Sequence, residues 1–237
     1  MSKDPRETEL RALQASSIFG GLSTDVFTDL LTIASVRRAP ARTMIIEKGD
    51  ACSEVFVVVN GFLKISTTDV HGKRSTIALV GPSEIFGEVS ALDGSERPAN
   101  VEAIEPVQLL VFPRAAFVGL LRRHPAATLQ LASSLARRLR ELHAKIESRV
   151  FLDTCQRLAA QIVHLAERYG EPVPAGTRLP VRLSQRDFGE LVDATRESVN
   201  RHMRGFVADG LVSVDRDQVT VRDLDALRAI ATTSTQG

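Results

Sequence analysis

The chain has 237 residues, of which 43% are hydrophobic and 25% charged, a composition typical of a globular protein with one large or two small domains. Thirty basic residues nearly balance 29 acidic ones, so any nucleic-acid footprint must be a local patch. An aromatic content of 5% argues against a stacking platform for single strands, and two cysteines, Cys52 and Cys155, argue against a disulfide framework or a four-cysteine metal site.

The N-terminal residues are polar and helix-like rather than typical of a signal peptide. The sequence contains no run of about 18 apolar residues, so no membrane span is predicted. We therefore expect a cytoplasmic protein with no membrane partner.

Residues 8–36 are predicted to form short helices, with Ser23 as a possible helix cap. From Arg42 to Pro113 the pattern changes to short apolar runs separated by glycine-containing turns, which is typical of a sandwich or barrel-like β unit. The predicted strands are TMII, VFVVV, FLKIS, TIALV, VEAI and VQLLVF.

After Pro125 the pattern becomes helical over roughly 25 residues. Apolar residues recur at alternating spacings of four and three, which is the seam of a coiled coil. The seam comprises Leu135, Leu139, Leu142 and Ile146, followed by Arg149 or Val150. An ordinary core helix is the alternative, but the heptad spacing favours a helix that pairs two copies of the chain.

The remaining residues predict a compact unit of short elements behind a proline- and glycine-rich loop, GEPVPAGTRLP. A helix from Asp153 to Tyr169 precedes the loop. After it we predict, in order, a strand (PVRL), a helix from Gln185, the turn VDA, a helix from Arg196 to Asp209, strands LVSV and QVTV, and a short helix near Asp223.

The two helices around the turn VDA predict a helix–turn–helix. Ser184 and Asp187 resemble a capping box, and Thr195 is a plausible cap for the second helix. Gly189 inside the first helix indicates that another helix crosses close to it. One stripe of the second helix is predicted to face inward: Val199, Met203, Phe206 and Val207.

The opposite face of that helix carries Arg196, Glu197, Asn200, Arg201 and Arg204. Arginine can bind guanine O6 and N7 with two hydrogen bonds, and glutamate can accept one from cytosine N4. The LVSV and QVTV strands would then form a wing. A solvated charged face is the alternative, but the combination of glycine, turn and wing favours binding to double-stranded DNA.

The whole chain resembles the CRP/FNR family of bacterial transcription regulators. The stretches that show the resemblance are EKGDACSEVFVVVNGFLKI, FGEVSALDGSERPANV, LARRL…FLDTCQRLA and TRESVNR. The resemblance implies Arg196, Glu197 and Arg201 as base readers of a TGTGA-like palindrome. It also implies that Ser184 and Gln185 lie near phosphates, in an interface that includes Thr195 and Asn200. Asp193 stands where glycine is common in the family's turn.

The implied fold is α+β, with an N-terminal β-roll sensor of the jelly-roll type. We expect three parts: a cyclic-nucleotide-binding-like sensor at 1–124, a dimerisation helix at 125–150 and a winged helix–turn–helix at 151–237.

The family's cyclic-nucleotide motif is matched by Gly87-Glu88-Val89 and Arg97-Pro98-Ala99. A carboxylate can accept hydrogen bonds from ribose hydroxyls, and a guanidinium with free backbone N–H groups can neutralise a phosphate. An ordinary loop ion pair is the alternative interpretation. The predicted ligand site comprises Gly87, Glu88, Val89, Arg97, Ala99, Leu142 and His143.

Three residues depart from the cAMP-binding pattern. Pro98 lacks the N–H and hydroxyl that cAMP-binding members offer to the phosphate. Counted back from Phe151-Leu152-Asp153, Leu142 and His143 take the positions that meet the base in those members. The pocket is therefore expected to hold cAMP loosely, to prefer cGMP or a larger cyclic dinucleotide, or to hold nothing.

No metal or resident cofactor is predicted, because the five histidines show no ligand spacing and no cysteine cluster precedes Cys52. A redox role for Cys52 or Cys155 stays open.

Our leading hypothesis is a homodimeric transcription regulator with a small effector, such as cAMP or cGMP, and RNA polymerase as a further partner. Effector binding would shift the population of helix packings along the seam. A constitutive regulator with a vestigial pocket is the first alternative. A regulatory module of an enzyme is the second, and no catalytic motif predicts an enzyme.

Overall fold

A computed structural model describes residues 5–20, 22 and 24–232 of the chain. The helices are α1 (Pro5–Ala15), α2 (Thr24–Ile33), α3 (Glu88–Asp93), α4 (Arg114–Arg123), α5 (Pro125–Phe151), α6 (Thr154–Tyr169), α7 (Gln185–Val192), α8 (Arg196–Ala208) and α9 (Leu224–Thr232). The strands are β1 (Ser35–Ala39), β2 (Met44–Ile46), β3 (Glu54–Asn60), β4 (Leu63–Thr68), β5 (Arg74–Val80), β6 (Ile85–Phe86), β7 (Asn100–Ala103), β8 (Val107–Pro113), β9 (Glu171–Val173), β10 (Gly176–Arg178), β11 (Val212–Asp215) and β12 (Gln218–Val221). In the part of the chain described, no helix is both long and apolar enough to cross a membrane.

These residues form two compact units. The first contains the described residues up to 73 together with 77–139, and the second contains 74–76 together with 140–232. Helix α5 contributes its first part to one unit and its last part to the other. The domain boundaries predicted after residues 124 and 150 stay predictions.

Strands β1 to β8 form two four-stranded sheets, in the orders β1-β8-β3-β6 and β2-β7-β4-β5. Strand β3 lies inside its sheet and pairs antiparallel with β8, with Val57 opposite Leu110. Successive side chains of a strand point to opposite faces, so β3 supplies two cores. Val55 and Val57 join one core, and Phe56 and Val58 join the other. This explains why the VFVVV run is apolar throughout rather than alternating.

The core on the Val55 side is closed by helices. Buried residues of α1, α2, α4 and the start of α5 pack there, among them Leu13, Phe27, Phe117 and Leu131. The predicted α+β class, with its antiparallel roll and a long helix, is confirmed.

Some elements of the first unit were not predicted. Strand β1 lies partly where helix was expected, and almost all of its residues are exposed, so no apolar pattern marks it. Strand β6 and helices α3 and α4 were not predicted either. The proposed cap Ser23 lies outside the described residues.

The first helix that lies wholly in the second unit is α6, and a capping box stabilises its N-terminus. The Asp153 side chain accepts a hydrogen bond from the Gln156 N–H at 2.8 Å, and the Asp153 N–H donates to Gln156 Oε1 at 2.9 Å. Four short strands form a sheet in the order β11-β12-β10-β9.

Two predictions about this unit were wrong. The GEPVPAGTRLP segment is not a plain loop, because β9 and β10 form a hairpin in it and Thr177 also pairs with Val221. The PVRL segment is not a strand. Val181 and Leu183 are buried, which imitates strand alternation, but the backbone makes no ladder there.

Candidate effector pocket and DNA-binding helix

Gly87 and Glu88 lie where β6 ends and α3 begins. Gly87 adopts the left-handed conformation, with φ of 79° and ψ of 4°. A Cβ at this position would lie 2.7 Å from Arg97 Nη1, so the guanidinium reaches the backbone only because residue 87 is glycine. The sequence motif therefore corresponds to a real close contact between the two predicted ligand residues.

The Glu88 carboxylate is almost completely shielded, with 2% of the residue exposed. Its partner is the Arg138 guanidinium on α5, which binds Glu88 Oε1 through Nη1 and donates through Nη2 to the Ile85 carbonyl. All three residues belong to the first unit. Sequence reasoning missed Arg138, and its position outside the apolar seam of α5 was the sole available sign.

Arg97 is also buried, at 5% exposure, and its guanidinium is held by backbone carbonyls. Nη1 donates to the Gly87 oxygen at 2.9 Å and Nη2 donates to the Glu54 oxygen at 2.6 Å. A loop ion pair between Arg97 and Glu88 is therefore not what the structure contains. To bind a phosphate, the guanidinium would have to share or exchange these two acceptors.

The other predicted ligand residues are distributed over both units. Ala99 is buried and Val89 is exposed, both in the first unit. Leu142 and His143 are exposed on the part of α5 that belongs to the second unit. The first unit thus offers a buried carboxylate and two guanidinium groups, a set that suits a ribose hydroxyl together with an anionic group.

The predicted seam of α5 is largely exposed in the single chain. Ile146 is 58% exposed, and Leu139 and Leu142 are exposed as well. Leu135 differs because it packs against the core of the first unit. A stripe of large apolar side chains on the outside of a helix requires a partner surface to leave water.

The helix–turn–helix has the predicted geometry. Ser184 caps α7 through the reciprocal box with Asp187, and Thr195 Oγ1 accepts from the Ser198 N–H at 3.2 Å at the start of α8. In the turn, the Ala194 N–H donates to the Gly189 oxygen at 3.0 Å. A Cβ on Gly189 would lie 2.8 Å from the Ala194 oxygen, so the close approach is made by the turn and not by the crossing helix that was predicted.

Helix α8 is amphipathic as expected, with one exception. Val199, Met203 and Phe206 are buried, whereas Val207, predicted to face inward, is 44% exposed. Val207 lies at the end of α8, where the inward stripe has already turned towards solvent.

The opposite face of α8 is open. Arg196, Glu197 and Arg204 are exposed and make no hydrogen bond or ion pair with any described residue. Asn200 is half-buried, and Arg201 makes one contact of 3.4 Å, to Ser198 Oγ. The side-chain Oε1 of Gln185 is shielded and accepts no hydrogen bond within the described chain. The exposed arginines and Glu197 of this face are available to a ligand.

Lys145 and Cys155 are among the titratable groups outside the predicted sites whose pKa values are shifted. Burial lowers the pKa of Lys145 on α5 from 10.5 to about 8, with Arg149 adding to the effect and Asp193 opposing it. Burial, and next the Asp153 charge, raise the pKa of the Cys155 thiol, which disfavours the reactive thiolate.

Comparisons with known proteins match both units. The protein-family model described as the cyclic nucleotide-binding domain matches residues 36–124, and the family model described as the Crp-like helix-turn-helix domain matches residues 156–230. The chain is 30% identical over 219 residues to the cyclic AMP receptor protein of Thermus thermophilus, covering 92% of this chain and 98% of that protein.

Two further proteins are similar to this chain over most of its length. A CRP-like cAMP-activated global transcriptional regulator of Mycobacterium tuberculosis is 26% identical, over 91% of this chain and 96% of its own length. Among solved structures, the c-di-GMP responsive global regulator CLP of Xanthomonas campestris has a TM-score of 0.70 at 22% identity, covering 84% of this chain and 99% of that one. The last likeness concerns the fold alone.

Proposed function

Because the chain belongs to the CRP/FNR family of transcription regulators, we propose that it is a homodimeric, sequence-specific DNA-binding regulator controlled by a small effector. The effector is a cyclic nucleotide such as cAMP or cGMP, bound beside Glu88 and Arg97. The observation that carries the proposal is the open polar face of α8 on a helix whose other face is buried.

DNA recognition follows from the chemistry of that face. Arg196 and Arg201 have guanidinium groups that can each bind O6 and N7 of a guanine, and Glu197 can accept from cytosine N4. Ser184 and Thr195 cap the two helices, so α7 and α8 present ordered N-termini to phosphates. We assign these residues, with Gln185 and Asn200, to binding of a TGTGA-like half-site.

The proposed dimer would form through helix α5. A palindromic site requires two recognition helices separated by about 34 Å, one turn of DNA. The exposed stripe of Leu139, Leu142 and Ile146 supports a seam that a second copy of the chain would cover. RNA polymerase as a partner and the cytoplasm as the location belong to the same proposal.

Effector binding is supported by Glu88, a buried carboxylate at the position of the family's ribose-binding glutamate. Two relatives are named for cAMP, and the Xanthomonas campestris regulator is named for c-di-GMP. A ribose hydroxyl would have to join or displace the Arg138 guanidinium at Glu88. Such competition gives the effector a direct way to act on α5.

A second candidate is a constitutive regulator of the same type. The observation that favours it is that the chain itself supplies partners for both buried charges, Arg138 for Glu88 and two carbonyls for Arg97. In that case the pocket is a structural feature and the DNA-binding form needs no ligand.

Titration calorimetry distinguishes the two candidates. The purified protein is titrated with cAMP, cGMP and c-di-GMP, and a Glu88→Ala variant serves as the matched control. Saturable heat with one nucleotide, lost in the variant, supports the effector-controlled regulator. The absence of heat with all three, together with specific DNA binding, supports the constitutive one.

A further inference from the structure

Asp193 occupies the turn between α7 and α8 in the left-handed conformation, with φ and ψ both at 51°. Glycine adopts this conformation without strain and aspartate tolerates it. The backbone alone therefore does not require a carboxylate at this position. The side chain has another role, which its contacts identify.

The Asp193 carboxylate is held from two sides within the second unit. Ser75 Oγ donates to Oδ1 at 2.8 Å, and the Arg149 guanidinium forms an ion pair with Oδ2. Arg149 Nη2 also donates to Ser75 Oγ at 3.2 Å. Arg149 lies in the last turn of α5, so a charge at the end of α5 is joined to the turn that precedes the recognition helix.

One helical turn earlier on α5, Lys145 makes a second connection between α5 and α7. Lys145 Nζ of α5 donates to the Thr76 oxygen at 2.5 Å, and Thr76 Oγ1 donates to Glu190 Oε2 of α7 at 3.3 Å. Arg186 of α7 also pairs with Glu190. Two cations of α5 and two carboxylates around the end of α7 thus meet at Ser75 and Thr76, residues that belong to the same unit.

The turn transmits this anchoring to α8. The Ala194 N–H is bound to the Gly189 oxygen, and Thr195 caps α8. Because Ala194 and Thr195 tie the backbone after Asp193 to α8, a contact that holds the Asp193 carboxylate also restrains the first turn of α8. That turn contains Arg196 and Glu197.

We propose that Asp193 is a positioning residue for DNA recognition: the Arg149 guanidinium holds its carboxylate and thereby fixes the angle of α8 against the end of α5. This inference rests on the proposed function. In a dimer the angle sets the separation of the two recognition helices, so Arg149 and Asp193 determine which half-site spacing the protein prefers.

The test measures binding to palindromes whose half-site spacing is the optimum, one base pair shorter or one base pair longer, at fixed salt. Asp193→Gly keeps the left-handed turn and removes the carboxylate. Arg149→Ala removes the other partner, and Arg149→Lys keeps the charge. Glu141→Gln is the matched control, because it weakens the pairing of Arg168 with α5 and does not touch the turn.

We expect Asp193→Gly and Arg149→Ala each to reduce the spacing preference roughly 2- to 30-fold, the range typical of coupling residues. The double variant should be no worse than either single variant, because both remove the same contact. Arg149→Lys should restore most of the preference, and Glu141→Gln should keep it.

A purely structural role would lower the free energy of unfolding and leave the spacing preference unchanged. If Asp193→Gly and Arg149→Ala bind the optimal site with the wild-type spacing preference, the inference is overturned and the proposed function stands. If wild-type protein does not distinguish the palindrome from a scrambled duplex, the proposed function itself is overturned, and the inference with it.

Discussion

The Arg138 guanidinium on α5 binds the buried carboxylate of Glu88 at the start of α3. The two residues are 50 positions apart in the chain, and the contact connects the predicted effector site to the helix that the proposed dimer shares. A ligand that competes with Arg138 for Glu88 would weaken the contact by which Arg138 holds α5 against the β-roll. In the proposed function, this contact would be the physical basis for effector control.

Arg138→Ala should lower the free energy of unfolding by about 2–3 kcal/mol, because it leaves the Glu88 carboxylate buried without its partner. Adding Glu88→Gln to that variant should restore at least about 1 kcal/mol, since an amide is cheaper to bury than an unpaired charge. Urea unfolding measures both values. Arg137→Ala is the control, because Arg137 is exposed and makes one long contact, to Ser134. Equal losses in the Arg137 and Arg138 variants would contradict the role of this pair.

Ile146→Glu should weaken self-association by about 3 kcal/mol, roughly 100-fold in Kd, because two carboxylates would enter the apolar seam. Sedimentation over a range of concentrations measures the change. Ala144→Glu adds the same charge two positions away, off the seam, and should leave association unchanged. An Ile146→Glu protein that still sediments as a wild-type dimer would rule out this seam.

Gly189→Ala should destabilise the second unit by about 2 kcal/mol, because the new methyl group would meet the Ala194 carbonyl at 2.8 Å. Gly205→Ala is the matched control on α8. A Cβ at Gly205 has no atom within 4 Å, so the variant should gain about 0.5–1 kcal/mol of helix propensity. Thermal or urea unfolding compares the two, and a stabilising Gly189→Ala would refute the close approach.

The stability of the protein should depend on Lys145 at alkaline pH. Its folded-state pKa of about 8 lies below the ordinary value of 10.5, so the unfolded chain binds more protons between these two values. Stability contributed by Lys145 therefore rises with pH in that window, by at most about 1.4 kcal/mol per pH unit. The unfolding free energy of wild type relative to Lys145→Met should rise from pH 8 to pH 10. A constant difference would show that the Lys145 pKa is not lowered.

Arg196→Ala should lose about 1–3 kcal/mol of discrimination at one guanine of each half-site, while binding to a scrambled duplex changes little. Competition binding with single-base variants of the palindrome measures the discrimination. Arg228→Ala on α9 removes the same charge away from α8 and should keep the wild-type pattern. Equal losses on all sequences would instead assign Arg196 to the phosphates.

The elements that sequence predicted best are those specified by neighbouring residues. Ser184 with Asp187 and Thr195 with Ser198 are caps within one turn, so the start of α7 and of α8 could be read directly. The predictions for strand β1 and for the PVRL segment were wrong because exposure and burial at these positions depend on residues far away in the chain. In PVRL, Val181 and Leu183 are buried by other parts of the fold, although no strand pairs with them.

The sequence predicted the motif residues of the candidate pocket but not the contacts that their side chains make. Gly87, Glu88 and Arg97 lie within eleven residues, and their spacing was visible. Arg138 and the Glu54 carbonyl come from distant parts of the chain, so spacing could not show that they complete the charges of Glu88 and Arg97. The Asp193–Arg149 contact was hidden for the same reason.

The most direct test of the central claim is the affinity for a TGTGA-type palindrome and for a scrambled duplex, measured at one fixed salt concentration with and without each cyclic nucleotide. We expect specific binding to be at least about 1,000-fold tighter than nonspecific binding, to be strengthened by one nucleotide, and to lose that strengthening in Glu88→Ala. Equal affinity for both duplexes under every condition would contradict the account.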